Sequence, residues 1–298
     1  MCYTTNMEYE KNNDLTGKSK EALDSVGDFN FKDRWGQIPK SIMKFKKTKE
    51  LMELIDWDSS ELGQVEGEAL QRGHGYAKNL RYSIYNPDQA FFILDYYTKE
   101  NDLILDPFMG RATRPLVTRL LNRRYIGFDT SRKTFELNTR LLTEKFPDFS
   151  KWVLYHGDGT ELKNMNEQVD AVFSCPPYLN IEKYSGEEGD LSVYSESEFW
   201  FKIEKMFDKL YTIIKTSNYE KREFYPVIFT VGSIRKGMHG LIDMDRIFQN
   251  IALKTGFVLH DKLLTENNTP GAGFTFRRNY AYKFLTKNYE TTLVFIKY

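Results

Sequence analysis

The chain has 298 residues, of which 41% are hydrophobic and 28% charged, and its 42 Lys and Arg are balanced by 42 Asp and Glu. That apolar content suits a sizeable core and excludes a wholly disordered chain, while zero net charge argues against a uniformly basic DNA binder but permits a local basic channel. Cys2 and Cys175 are too few for a disulfide framework or a cysteine-rich zinc site, so no metal is expected.

The first 30 residues are polar and hold no signal-like apolar segment, and no run approaches a membrane span. The expectation is a cytoplasmic protein with no membrane partner. Aromatic residues reach 15%, with 22 Phe and 19 Tyr. Most read as core filler, the remainder as stacking surface.

In chain order, residues 1–33 read as a flexible tail. Residues 34–84 read as a basic N-terminal extension. It carries Arg34-Trp35-Gly36, a cluster at Lys40, Lys44, Lys46, Lys47 and Lys49, and a glycine-rich loop with Arg72, Lys78 and Arg81. The lysine cluster is either a solvated helix face or a phosphate-contacting arm.

From residue 85 to 298 the pattern is regular. A helix is predicted over 88–97 with Pro87 at its start, then a strand over 103–105 and a helix over 113–121. A strand follows over 124–128, a helix over 133–145, and strands over 152–155 and 170–173. An amphipathic helix over 197–215, a strand over 227–231 and a helix over 244–254 come next. Segments 257–264 and 291–297 read as two closing strands. Strands alternating with helices predict a mostly parallel, doubly wound α/β sheet.

Four motifs fall just past successive strands, where open α/β sheets bind ligands. Asp106-Pro107-Phe108-Met109-Gly110-Arg111-Ala112-Thr113 is a strand–glycine turn–helix junction, in which a glycine admits close approach and a helix start offers N–H donors. Asp129, about 20 residues on, suits ribose hydroxyls. Asp158 after Gly157 is either an acceptor for an adenine amino group or a helix cap. Ser174-Cys175-Pro176-Pro177-Tyr178 follows the fourth strand. Its prolines cannot donate to a ladder, so the chain is held rigid with carbonyls beside an aromatic ring. That pairing suits a flat, amino-bearing ligand such as a nucleobase.

These motifs together resemble the S-adenosylmethionine-dependent DNA amino-methyltransferases, over roughly residues 84–298. Within that group the chain is most similar to phage and prophage enzymes with Ser-Cys-Pro-Pro-Tyr, followed here by Tyr184-Ser185 and Asp190-Leu191-Ser192. The resemblance implies a Rossmann-like class I fold, a seven-stranded, mostly parallel sheet with helices on both faces, plus the N-terminal extension. It also implies that Asp106, Pro107, Phe108, Gly110 and Thr113 shape the cofactor pocket, with Asp129 on the ribose and Asp158 on the adenine. Ser174, Cys175, Pro176, Pro177 and Tyr178 would form the catalytic loop, Tyr178 stacking on a flipped adenine or cytosine while the Pro176 carbonyl grips its amino group.

The chain departs from that pattern twice. Cys175 stands where Asp, Asn or Ser is usual, and a thiol is a poor acceptor. Gly110-Arg111-Ala112-Thr113 replaces the commoner Gly-x-Gly-Thr. Duplex DNA is the implied partner, its target base flipped, and a homodimer is compatible with the resemblance. Tyr184, Arg235, Arg277 and Arg278 are candidate substrate contacts. Rival readings keep the fold but act on RNA or protein, make Cys175 a nucleophile, or leave a noncatalytic DNA-binding module. None of the four histidines shows metal spacing.

Overall fold

A computed structural model describes residues 39–54, 85–165, 167–179, 186–235, 240–266 and 288–298, with residues 34, 37, 283 and 285. The expected tail and glycine-rich loop lie outside the described residues. Residues Lys40–Tyr298 make one compact unit.

The strands are β1 (Ile42–Met43), β2 (Leu103–Asp106), β3 (Arg124–Asp129), β4 (Trp152–His156), β5 (Ala171–Ser174), β6 (Pro226–Val231), β7 (Ile234–Arg235), β8 (Leu241–Ile242), β9 (Val258–Glu266) and β10 (Tyr289–Ile296). The helices are α1 (Lys49–Leu54), α2 (Pro87–Tyr97), α3 (Thr113–Leu120), α4 (Arg132–Lys145), α5 (Glu196–Ile213) and α6 (Met244–Thr255). The predicted elements from residue 85 onward all form, each within a few residues of its expected ends.

The main sheet runs β1-β9-β10-β6-β5-β2-β3-β4, and β10 is antiparallel to both its neighbours. Seven of these strands make the expected mostly parallel α/β sheet. The eighth corrects the expected count: the extension contributes β1, which pairs in parallel with β9, Ile42 opposite Leu264. Residues 40–48 are therefore not a helix face. Lys44 pairs with Glu266 at 3.4 Å, and only Lys49 of the cluster enters a helix, pairing with Glu53 at 3.3 Å.

Local signals explain the helix starts. Asn86 caps α2, accepting from the Asp88 and Gln89 N–H groups, with Pro87 at the first helical position. Ser195 and Glu198 form a reciprocal capping box on α5. Pairwise packing puts α2, α3 and α4 in one layer and α5 with α6 in another.

Strand alternation separates the two faces of the sheet. Leu105, Phe128, Val172, Phe229, Leu293 and Phe295 pack into the main core with Phe199, Phe207 and Phe248 of α5 and α6. Phe207 alone meets Phe229 at 5.3 Å, Phe248 at 5.9 Å and Phe257 at 6.0 Å between ring centroids. These aromatics are core filler, as composition suggested. The opposite parity carries Asp106, Tyr125, Phe173, Thr230 and Thr292. That face buries a polar seam, in which Tyr85 bonds Thr230 and Thr230 bonds Thr292, each at 2.8 Å.

Candidate active site

At the carboxyl end of β2 the Asp106 carboxylate is fully buried. It accepts from the Arg114 Nε at 2.7 Å, the Tyr125 hydroxyl at 3.0 Å, the Ser174 hydroxyl at 2.5 Å and the Phe108 N–H at 3.2 Å. A carboxylate has about four acceptor positions, so the chain itself fills them. Arg114 also donates to the Phe108 carbonyl and lies over the Tyr85 ring at 5.3 Å and the Phe173 ring at 6.0 Å. Burial works against the guanidinium charge, but Asp106 more than offsets this and Arg114 titrates above its ordinary range. Asp106 thus fixes the turn from beneath.

Gly110 sits at φ +53°, in the left-handed region. A Cβ there would come no closer than 3.8 Å to a neighbour, so backbone angle rather than crowding requires the glycine. Its N–H donates to Asp129 at 3.0 Å, and its carbonyl accepts from Asn138 at 2.6 Å. Asn138 accepts in turn from the Ala112 N–H at 2.7 Å. Asn138 is a fully buried residue on α4 that brackets both sides of the turn. Its signal in the sequence was an amide on the apolar stripe of Leu137, Leu141 and Leu142. Pro107 is buried, Phe108 is half-buried and Thr113 is fully buried at the start of α3.

Asp129 ends β3. Burial pushes its carboxyl up to about 7, although the Ser131 and Gly110 N–H groups favour its charged form. Asp158 lies past β4. Its Oδ1 accepts from the Thr160 N–H at 2.8 Å and hydroxyl at 2.6 Å, and its Oδ2 pairs with Lys202 of α5 at 2.7 Å. Asp158 thus caps its own turn, and its second oxygen meets a cation. Lys202 was invisible in sequence because it looked like any polar residue of an amphipathic helix. Gly159 is required by close approach, since a Cβ there would lie 1.8 Å from the Pro107 carbonyl. The β4 loop consequently seats directly on the β2 turn.

Residues 186–193 return to the same edge. Asp190 accepts from the Gly186 and Ser192 N–H groups at 2.8 and 2.9 Å. Glu187 accepts from the Arg132 N–H at the start of α4 and meets His156 at 3.0 Å. That contact gives His156 a structural partner the sequence had not suggested.

The Ser174–Tyr178 loop leaves β5 beside Asp106. Ser174 is fully buried, and its hydroxyl both donates to Asp106 and accepts from the Phe108 N–H at 3.1 Å. It therefore welds the Ser174–Tyr178 loop to the β2 turn. Pro176 is buried, while Cys175, Pro177 and Tyr178 are half-buried. The Tyr178 ring packs partly on the main core, and its hydroxyl donates to Glu290 of β10 at 2.8 Å. The fold also brings the Arg114 charge into electrostatic reach of Cys175, although no cation stood near that thiol in sequence.

Of the candidate substrate contacts, Tyr184, Arg277 and Arg278 lie outside the described residues. Arg235 lies in β7, which pairs with β8 as a small hairpin. Its base is tied by Ser233, which donates to Asp243 at 3.2 Å and Asp245 at 3.3 Å. Burial would raise the Asp245 carboxyl, but Asp243 and Lys262, the latter at 2.8 Å, hold it down at about 2. Among the described residues no group of three or more His, Cys, Asp and Glu could hold a metal ion. No helix among them is long and apolar enough to cross a membrane.

The model of a DNA methylase family matches residues 6–140. That segment is similar to the DNA methylase family. It includes the extension, β2, the Asp106–Gly110 turn, β3 and Asp129. Over 47 residues the chain is 40% identical to the type II methyltransferase M2.LlaDCHI of Lactococcus lactis subsp. cremoris, covering 16% of this chain and 18% of that protein. Over 45 residues it is 42% identical to the type II methyltransferase M2.DpnII of Streptococcus pneumoniae, covering 15% and 17%. The match thus spans less than a fifth of either relative's length. TrmN of Thermus thermophilus aligns with a TM-score of 0.49 at 14% identity, over 72% of this chain and 49% of that one.

Proposed function

We propose that this protein transfers a methyl group from S-adenosylmethionine to the exocyclic amino group of an adenine or cytosine in DNA. The observation that carries the reading is the weld of Ser174 to Asp106 and Phe108, which holds a turn suited to the cofactor beside a loop suited to a base. The residues present fit the cofactor: Gly110 turns the backbone outward, Asp129 offers an ionisable acceptor for ribose hydroxyls, and Asp158 offers one for adenine. Bound there, S-adenosylmethionine supplies an electrophilic methyl on its sulfonium.

The chain's own groups supply position. Stiffness from Pro176 and Pro177 holds backbone carbonyls where they can accept from an amino group and favour its pyramidal form, which raises lone-pair density on nitrogen. Tyr178 offers a ring face on which a base can stack, worth about 1–3 kcal/mol, against a flipping cost of a few kcal/mol. Cys175 contributes little as an acceptor, so the carbonyls carry that task. Tyr184, Arg235, Arg277 and Arg278 are proposed DNA contacts. The protein would act in the cytoplasm, as monomer or homodimer, with a short or relaxed recognition sequence.

Transfer of label from S-adenosylmethionine to duplex DNA, RNA and protein, assayed side by side, tests the substrate class. Labelling of DNA supports the reading. Labelling confined to RNA or protein replaces it, and failure to bind S-adenosylmethionine in calorimetry leaves a noncatalytic DNA-binding module.

A further inference from the structure

The Tyr178–Glu290 hydrogen bond joins the end of β5 to the start of β10, 112 residues apart and two strands across the sheet. β10 is antiparallel to its neighbours, so its first residues, not its last, stand at the ligand edge. Thr291 lies opposite Val231, the final residue of β6, and Glu290 is one step further out. Strand alternation places Glu290 on the face of Thr292 and the polar seam. The carboxylate is close enough to Tyr85 to disfavour its ionisation, as is Cys175. Glu290 and Cys175 therefore share one neighbour at the edge of the base site.

A ring that stacks on a base needs its position fixed. Packing on the main core restrains one side of Tyr178, but a half-buried tyrosine retains freedom about its side-chain bonds. A charge-assisted bond from the hydroxyl to a carboxylate pins the far end of the ring's long axis, and such bonds are roughly twice as strong as neutral ones. We infer that Glu290 is a positioning residue of the base site, holding the far end of the Tyr178 ring in place through the hydroxyl. The inference rests on the methyltransferase reading for its catalytic consequence, and on the observed bond alone for its structural one.

Two variants test it. Glu290→Thr suits a strand and is too short to reach the hydroxyl, whereas Glu290→Gln keeps an acceptor. In protein labelled with 3-fluorotyrosine, the resonance assigned to Tyr178 by its absence from Tyr178→Phe should shift and broaden in Glu290→Thr. It should stay near the wild-type position in Glu290→Gln. On DNA, kcat should fall about tenfold or more in Glu290→Thr and less than about threefold in Glu290→Gln, with KM for S-adenosylmethionine unchanged in both. Glu290→Thr combined with Tyr178→Phe should be no slower than the slower single variant.

An unmoved fluorine signal in Glu290→Thr overturns the inference. Additive losses in the double variant, or a rise in the cofactor KM, do the same. If the wild type methylates no DNA, the functional reading fails, and the fluorine spectra alone decide the role of Glu290.

Discussion

At the ends of β2, β3 and β4 the chain already holds its own carboxylates. Asp106 is held by four donors, Asp129 by two backbone N–H groups and Asp158 by Thr160 and Lys202. Beyond β5 the means are different: two prolines stiffen the loop and the Tyr178 ring is tied at its hydroxyl. One half of the edge is organised by charge inside the core, the other by backbone stiffness and ring orientation. Substitutions in the two halves should therefore fail differently, the first in stability and cofactor affinity, the second in turnover.

The largest effect should come from Arg114→Met. It leaves the Asp106 carboxylate buried without its cation, a loss of about 3–5 kcal/mol, read as a lower urea midpoint. Stability equal to wild type would show that charge does not organise the β2–β4 half.

Next in size is Tyr178→Ala. Losing a stacking face worth about 1–3 kcal/mol should lower kcat by roughly five- to 150-fold, since each 1.36 kcal/mol or so is tenfold. Cofactor affinity by calorimetry should not change. A collapse of that affinity would move Tyr178 into the other half and erase the contrast.

Asp129 sharpens the comparison through pH. Its carboxyl is raised from 3.8 to about 7, with burial as the main cause. Between those values the folded chain keeps a proton that the unfolded chain releases, so its contribution to stability declines as pH rises from about 4 to 7 and is then constant. Ribose hydroxyls donate best to the ionised form, so affinity for S-adenosylmethionine should increase from pH 6 to 8. Asp129→Asn should flatten both dependences. An unchanged slope in that variant would assign the titration elsewhere.

Lys202→Met should have the smallest effect. Its ion pair with Asp158 is partly open to solvent, with side-chain exposures of 22% and 11%, and such pairs are worth less than about 1 kcal/mol. Cofactor affinity should weaken by under about fivefold, with kcat intact. A larger loss would mean that Lys202 meets the ligand directly.

The sheet was legible because its strands are short apolar runs bounded by turn residues, and all seven expected strands form. The eighth, β1, was not. Ile42-Met43 is too short for a period to show, and its lysine-rich surroundings mimic a solvated helix. The four motifs were legible as landmarks because each sits at or just past the end of a strand of the sheet. Their partners were not, because Arg114, Tyr125, Asn138, Lys202 and Glu290 have unremarkable local contexts and acquire meaning only through contacts made by the fold. Asp106 shows the limit most clearly. Its position at a strand end reads as a ligand contact, yet four internal donors make it the anchor of the site.

The most direct test is mass analysis of nucleosides from DNA incubated with the full chain and S-adenosylmethionine. The predicted product is N6-methyladenine or N4-methylcytosine, strongly reduced in Tyr178→Ala. A methyl group on a ring carbon, or unmodified DNA beside methylated RNA or protein, would contradict an amino-methylation site built on the Ser174–Tyr178 loop.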